Sequence, residues 1–450
     1  MKEMFPHGFC PSPQEEAPVQ ELPRLLFADQ RGVIYEHPTL LALGMSGDQF
    51  VLPAQTEWIP LPGMSKLFYM PGCPPVGMDP SSGRQVTLET QWVGRKRVNC
   101  SAVAAFLEPG YVRTLLPACR SSQKQYVLPL WAYTAVGFAS GTYTAAAFRV
   151  EANPHWDPRN FDDRELLPVV EERLGRPDAG PLLRHLAQCA LLNHCFAAKN
   201  LFLNRWEAPL PLSRRCNARC LGCLSSQPRG SCPSAHRRIR FRPQLDEIVE
   251  LAVGHLERAQ DPIVSFGQGC EGEPLTEARL LAKAIEEIRR RTDMGTVNLN
   301  TNGSLPMALG LAVQAGLDSV RISLNSARPE LYRAYCRPRG FALEQVEESL
   351  EIARKGGLFT MINYLVFPGV TDQEEEWESL RALLSRTGVQ FLHLKNLCID
   401  PDLYLRAMPR GTSPPMGMRE LCSRIQQEFP QLRLGYFNQP AQRVPDPAVP

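Results

Sequence analysis

The 450-residue chain is predicted to be an α/β protein: a parallel sheet with barrel-like winding, preceded by a smaller, mostly β domain. Two observations carry that prediction. From Ala208 onward, short apolar runs alternate strictly with amphipathic helical stretches, which a parallel sheet with right-handed crossovers requires. Before residue 150 the pattern is different, with short β-type runs broken by turns. Thirteen prolines fall in the first 90 residues, too many for long helices.

Residues 1–21 read as a loose, proline-rich leader, and 22–150 as the accessory β domain. RLLFA, a DQRG turn and VIYEH make a hairpin pattern, and one short helix is expected near Ser101–Phe106. Val127–Phe148 carries no charge and is long enough to cross a membrane. Its Pro129, Gly137, Gly141 and GFASGT turn point instead to a buried hairpin. Residues 151–207 read as a linker followed by helices at Glu165–Leu174 and Pro181–Phe202, the second carrying Cys189 and Cys195. Six apart, those thiols do not share a helical face and read as packing groups, with a second cluster the lesser alternative.

Strands are expected at 208–213, 263–267, 296–301, 319–325, 359–367 and 389–396. Helices fall at about 244–259, 276–291, 305–315, 341–355 and 372–386. Thr276 and Thr371 read as N-caps, the latter in a capping box with Glu374. Residues 401–450 form a tail with one helix near Met418–Phe429. In wound parallel sheets of this kind the chemistry sits at the C-terminal strand ends.

Formal net charge is +2, so no global field recruits nucleic acid or membrane. Fourteen cysteines without an export signal fit a reducing, cytoplasmic compartment. Three of them, Cys216, Cys220 and Cys223, stand in C-x3-C-x2-C spacing in LSRRCNARCLGC, directly after the first parallel strand. Three thiolates on one tight loop suit a soft metal centre and leave a four-coordinate ion one ligand short. Cys232 could close such a site as a fourth ligand. Between Ala208 and Leu245 stand eight arginines and no acid: a basic rim for an anionic cluster or substrate, or a solvated loop. Aromatic interleaving beyond Phe241 is missing, which argues against nucleic acid.

Three later stretches, SFGQGCEGEPL, LNTNGS and VRISLNS, follow the cysteines in order at strand ends. Together the four motifs resemble the radical S-adenosylmethionine (SAM) superfamily. The resemblance implies a partial (β/α)6 TIM-like barrel over 208–400, with Cys216, Cys220 and Cys223 holding a [4Fe–4S] cluster whose fourth iron binds SAM. It implies reductive cleavage of SAM to a 5′-deoxyadenosyl radical, hydrogen abstraction from a substrate, and an external flavodoxin- or ferredoxin-like electron donor. Glu271, Gly272 and Glu273 match the family's Gly-Gly-Glu-Pro motif, which contacts the SAM ammonium. Thr301, Asn302, Ser323, Asn325 and Asn363 are the further expected SAM contacts, with Arg321, His393 and Lys395 as candidates beside them. One departure stands out: most members have an aromatic just before the third cysteine, and here it is Gly222.

Strands four and five resemble those of the GTP cyclase of molybdenum-cofactor synthesis and of peptide-modifying maturases. Both groups carry a C-terminal cysteine cluster, whereas this chain has only Cys398 and Cys422 after residue 340. The expected substrate is a peptide or protein segment, with a small anionic metabolite second. The rival from another class is a non-catalytic scaffold closing Cys216, Cys220, Cys223 and Cys232 on one metal.

Overall fold

The computed structural model describes residues 21–120, 126–229 and 231–441. The expected leader, apart from Glu21, and the proline-rich end lie outside these. Between Arg24 and Arg149 the chain forms an antiparallel ten-stranded sheet with two small satellite sheets. The uncharged stretch is a hairpin, Thr134–Ala139 and Thr142–Arg149, turning at Ser140 and Gly141 with φ of 51° and 78°. Both turn residues are left-handed, the geometry that matches strand twist in a tight hairpin. No helix among the described residues is long and apolar enough to cross a membrane.

The expected helix at Ser101–Phe106 is a strand. Its run of small and β-branched residues, SAVAAF, pairs on one side with Lys66–Met70 and on the other with Thr134–Ala139, burying five of six side chains. Partners on both edges override a weak helical propensity.

The linker carries two 3-10 turns, Pro154–Trp156 and Pro158–Asn160, and then α1 (Leu166–Leu174). The expected helix over 181–202 is two, α2 (Pro181–Leu191) and α3 (Phe196–Leu203). The chain breaks at His194, whose φ of 50° is left-handed. Cys189 therefore lies on α2 and Cys195 at the N-cap of α3.

The wound half is a seven-stranded parallel sheet in sequential order: β1 (Glu207–Pro209), β2 (Ile263–Phe266), β3 (Thr296–Thr301), β4 (Ser319–Leu324), β5 (Phe359–Val366), β6 (Phe391–Asn396) and β7 (Arg433–Gly435). Helices α4 (Leu245–Leu256), α5 (Ala278–Arg291), α6 (Pro306–Gln314), α7 (Pro329–Cys336), α8 (Leu343–Lys355) and α9 (Glu374–Thr387) run between strands β1 and β6. α10 (Pro401–Ala407) and α11 (Met418–Glu428) follow β6. β7, α7 and α10 were not foreseen. β7 is only RLG, too short to show a period.

The expected caps are corrected. Gln373, not Thr371, precedes α9, and the Thr371 hydroxyl instead accepts the Phe367 N–H at 2.9 Å, closing the turn after β5. Glu277 precedes α5, while Thr276 donates to the Glu273 carbonyl.

Among the described residues no backbone pairing closes β1 onto β7. Side chains span the gap: Glu207 on β1 accepts from Asn438, just past β7, at 2.6 Å, and from Ser265 at 2.7 Å and Gln268 at 3.0 Å. The β domain is fastened to the loop after β6, on the C-terminal side of the sheet. Arg113, fully buried, donates to the Leu397 carbonyl at 2.9 Å and the Tyr133 carbonyl at 3.0 Å and stacks over Phe367. Asn396 and Tyr111 bond at 2.8 Å, and Asp400 accepts the Leu128 N–H at 2.7 Å while capping α10. Burial pulls the Arg113 guanidinium down to about 10.

Arg113→Met keeps the length of the side chain and strands both carbonyls. It should lower stability by about 3 kcal/mol, read as a shift in the urea midpoint.

Candidate functional site

The cysteine loop begins where β1 runs out. Leu210 and Leu212 are fully buried, and the Leu210 N–H still reaches the Ser265 carbonyl of β2 at 2.8 Å. Beyond them the loop would be free, but three neighbouring segments hold it. The Glu271 carboxylate accepts the N–H groups of Leu212 and Ser213 at 2.8 Å each through one oxygen. Through the other it accepts those of Gly267 at 2.6 Å and Gln268 at 3.2 Å. One fully buried side chain thus satisfies four backbone donors from two loops. Burial pushes its carboxyl up to about 7, against the pull of those donors.

The next two residues complete the contact. Gly272 N–H donates to the Ser213 carbonyl at 2.6 Å and Glu273 N–H to the Arg215 carbonyl at 2.7 Å. A Cβ on Gly272 would lie 1.9 Å from that Arg215 oxygen, so only glycine permits the approach. Glu273 accepts from the Thr301 hydroxyl at 2.5 Å, the Asn302 N–H at 2.8 Å and the Leu275 N–H at 3.0 Å. The Asn302 amide donates to Asn217, inside the cysteine loop, at 3.0 Å. On the far side, the C-terminus of α7 pairs with the loop: Arg219 N–H to the Cys336 carbonyl and Leu221 N–H to the Tyr335 carbonyl, both at 3.0 Å.

Held in this way, Cys216, Cys220 and Cys223 line one cavity of about 530 Å³ together with Arg219, Arg238, Arg337 and Arg339. Arg238 donates to the Cys223 sulfur at 3.5 Å and to Ser225 at 3.0 Å. Burial pushes the Cys216 thiol up to about 12, and a hydrogen bond with the Cys336 thiol together with burial pushes Cys220 well above its usual range. The other thiols nearby do not line the cavity. Cys232 is buried on the side of Tyr133 and Asp400, and Cys336, behind Cys220, is bonded to Asn325. Three sulfur donors, guanidinium groups beside them and, among the described residues, no fourth thiol in the wall fit an iron–sulfur cluster with one open iron.

The structure gathers Glu271, Gly272, Glu273, Thr301 and Asn302 against the cysteine loop. Ser323 and Asn363 sit opposite each other on β4 and β5, with the Asn363 amide donating to Ser323 at 3.3 Å. The Asn363 amide oxygen is buried and has no hydrogen-bond partner among the described residues. Asn325 is set apart: its amide turns to the Leu331 carbonyl. Arg321 donates to Asn438 at 2.8 Å. His393 is fully buried between the Tyr436 carbonyl and the Met361 sulfur. Lys395 lies over Tyr436, 3.4 Å from the ring centre, and burial pulls its ammonium well down.

A polar network inside the sheet was missed. Asn298 donates to Ser265 at 3.0 Å and accepts from Ser319 at 2.9 Å, Asn300 donates to the Phe266 carbonyl at 3.0 Å, and Glu207 and Asn438 join it as above. The alternation Asn298-Leu299-Asn300 was the available signal. Asn438 had none.

Gly222 also has a reason in the structure. A Cβ there would meet the Tyr335 hydroxyl at 2.8 Å and the Cys398 carbonyl at 3.2 Å, so α7 fills the space a side chain would need.

The model of the Radical SAM superfamily matches residues 210–380. This stretch is a radical SAM domain. It contains the cysteine loop together with Arg337 and Arg339, which line the cavity, and strands β2 to β5. Members of the superfamily use a [4Fe–4S] cluster and SAM. The GTP 3′,8-cyclase of Petrotoga mobilis is 29% identical over 215 residues, covering 47% of this chain and 57% of that protein. Molybdenum cofactor biosynthesis protein 1 of Bos taurus is 28% identical over 212 residues, 46% and 30% of the two chains. The chain thus spans about half or less of the length of these curated relatives. Among solved structures, the [FeFe]-hydrogenase maturase HydG aligns at 14% identity and TM-score 0.36, over 61% of this chain and 63% of that one. Streptococcus suis SuiB bound to its precursor peptide aligns at 14% and 0.37, over 57% and 53%.

Glu271→Gln replaces an acceptor of four N–H groups with one that turns its own amide hydrogens on half of them. It should destabilise the domain by about 3 kcal/mol in thermal or urea unfolding. Gly272→Ala should leave the sheet's circular dichroism intact yet reduce iron retained after anaerobic reconstitution, because the overlap falls on the cysteine loop alone.

Proposed function

We propose that the chain is a radical SAM enzyme that reductively cleaves SAM and abstracts hydrogen from a peptide or protein segment bearing an anionic group. The observation that carries the reading is the cavity lined by Cys216, Cys220 and Cys223, whose lining among the described residues includes no other thiol. When bound, the cluster and SAM supply one-electron reduction of the sulfonium and a 5′-deoxyadenosyl radical. The residues of the chain bind and orient. The three cysteines hold the cluster. Glu271, Gly272 and Glu273 fix the loop that faces it; both carboxylates are engaged, and the Glu271 and Glu273 carbonyls accept from Ser225 and Thr276, which leaves the Gly272 carbonyl as the acceptor for a cationic amine. Asn302, Ser323 and Asn363 offer neutral polar groups to a ribose and carboxylate, and the free Asn363 oxygen is the clearest of these. Four guanidinium groups around the cavity offset the charge of an anionic cluster. The β domain is tied to the loop after β6, on the C-terminal side of the sheet. An external one-electron donor of flavodoxin or ferredoxin type completes the reaction.

Two features favour a macromolecular substrate. A second pocket of about 670 Å³ beside the cysteine loop is lined by Arg214, Arg215, Arg237, Arg238 and Arg240. A groove of about 820 Å³ runs between the β-domain segment 60–64 and the linker at 151–159. A small anionic metabolite is the second reading: the arginines suit a phosphate, and one of the relatives above is named for GTP. The four-cysteine scaffold is disfavoured by the placement of Cys232.

Anaerobic reconstitution with iron and sulfide, then dithionite and SAM, should yield 5′-deoxyadenosine, and Cys220→Ala should abolish it while Cys232→Ala retains both iron and product. Iron loss in Cys232→Ala, or a cluster that never cleaves SAM, would return the scaffold reading. A rise in 5′-deoxyadenosine with acidic peptides rather than with GTP separates the two substrate classes.

A further inference from the structure

Away from the three-cysteine cavity, the chain brings together a second set of soft donors. His185 and Cys189 stand four apart on α2, so both side chains leave the same face of the helix. Cys270 comes from the loop after β2, in the residue before Glu271. The His185 Nε2 and the Cys189 sulfur are 3.7 Å apart, and the three donor atoms all lie within 4.8 Å of one another. Zinc–sulfur and zinc–nitrogen bonds of about 2.3 and 2.0–2.1 Å put neighbouring ligands of a tetrahedral ion roughly 3.6 Å apart. The spacing therefore suits one ion.

A second imidazole stands beside this group, outside the 4.8 Å set. The ring of His236 lies against Gly269, whose Cβ position would be 3.3 Å from its Cδ2, and its Nδ1 is buried without a hydrogen-bond partner. The segment carrying His236 is pinned to the same loop, since Ile239 N–H donates to the Cys270 carbonyl at 2.9 Å. Cys189 and Cys270 are 1% and 4% exposed, so bulk water does not compete for the centre. The hydrogen bond from Cys270 holds the Cys189 thiol below its usual range, with burial opposing.

We infer that His185, Cys189 and Cys270, with His236 as fourth donor, form a structural site for a single tetrahedral divalent ion of the zinc class. The site joins three separate pieces of chain: α2 from the linker region, the 236–239 segment and the loop that carries Glu271. It fixes that loop from behind while Glu271 fixes the cysteine loop from the front. Binding exchanges thiol protons for the metal and requires no oxidant. The inference stands apart from the proposed radical chemistry, because none of its four donors is one of the three cavity cysteines.

The test is metal analysis of the full chain with Cys216, Cys220 and Cys223 all changed to Ala, grown with zinc and compared with the unmodified chain. Both should hold one zinc per chain, with an X-ray absorption shell of two sulfurs and two nitrogens, and Co(II) in its place should give tetrahedral d–d bands. Cys270→Ser and Cys189→Ser should lose the ion, and His236→Gln should weaken it by an order of magnitude or more. Should the triple variant fail to fold, the zinc-edge spectrum of the unmodified, iron-loaded chain decides alone, since iron then fills the cavity. A folded chain that takes up no zinc, an all-sulfur shell, or a Cys189–Cys270 disulfide in the unreduced peptide map would each overturn the site.

Discussion

The Glu271 carboxylate is the constraint on which the rest of the site depends. A cysteine loop that must leave its thiols free for metal cannot also fold its backbone into regular structure, and its N–H groups need partners inside a dry sheet end. Glu271 supplies them from the neighbouring strand end, four donors on two oxygens. The cost of burying a carboxylate is offset by those four N–H donors. Gly272 then lets the two backbones touch, and Glu273 passes the same arrangement on to β3 through Thr301 and Asn302. Both carboxylates thus fasten the loops beside the cavity.

The β domain answers a different physical need. An open seven-stranded sheet leaves one flank of its interior unclosed, and the polar network from Glu207 to Asn438 would be wet there. Arg113, Asn396 and Asp400 bring the accessory sheet to the C-terminal side of β6 through hydrogen bonds to backbone groups. Backbone partners of this kind hold two units in one fixed relation, which apolar packing alone does less specifically.

Legibility in the sequence followed the range of the interactions involved. The parallel strands were readable because short β-type runs alternate with helical stretches, and β3 was expected and found at 296–301. The cysteine spacing was readable because its ligands are local. Ser101–Phe106 misled because small residues carry little propensity, and its strand state comes from partners distant in sequence. Thr371 misled because its hydroxyl closes the turn before the helix rather than the helix itself. Asn325 shared a predicted face with Ser323, yet it lies past the end of β4, where alternation no longer fixes direction.

By itself the sequence determined the order of the first six parallel strands and the placing of the C-x3-C-x2-C spacing just after the first of them, since these rest on periodicity and local spacing. Tertiary structure alone decided which acids are free, why residue 222 is glycine, and that His185 and Cys189 meet Cys270 across 81 residues of chain. Such meetings are set by how helices dock on the sheet, and no local pattern of residues encodes a distance between two loops.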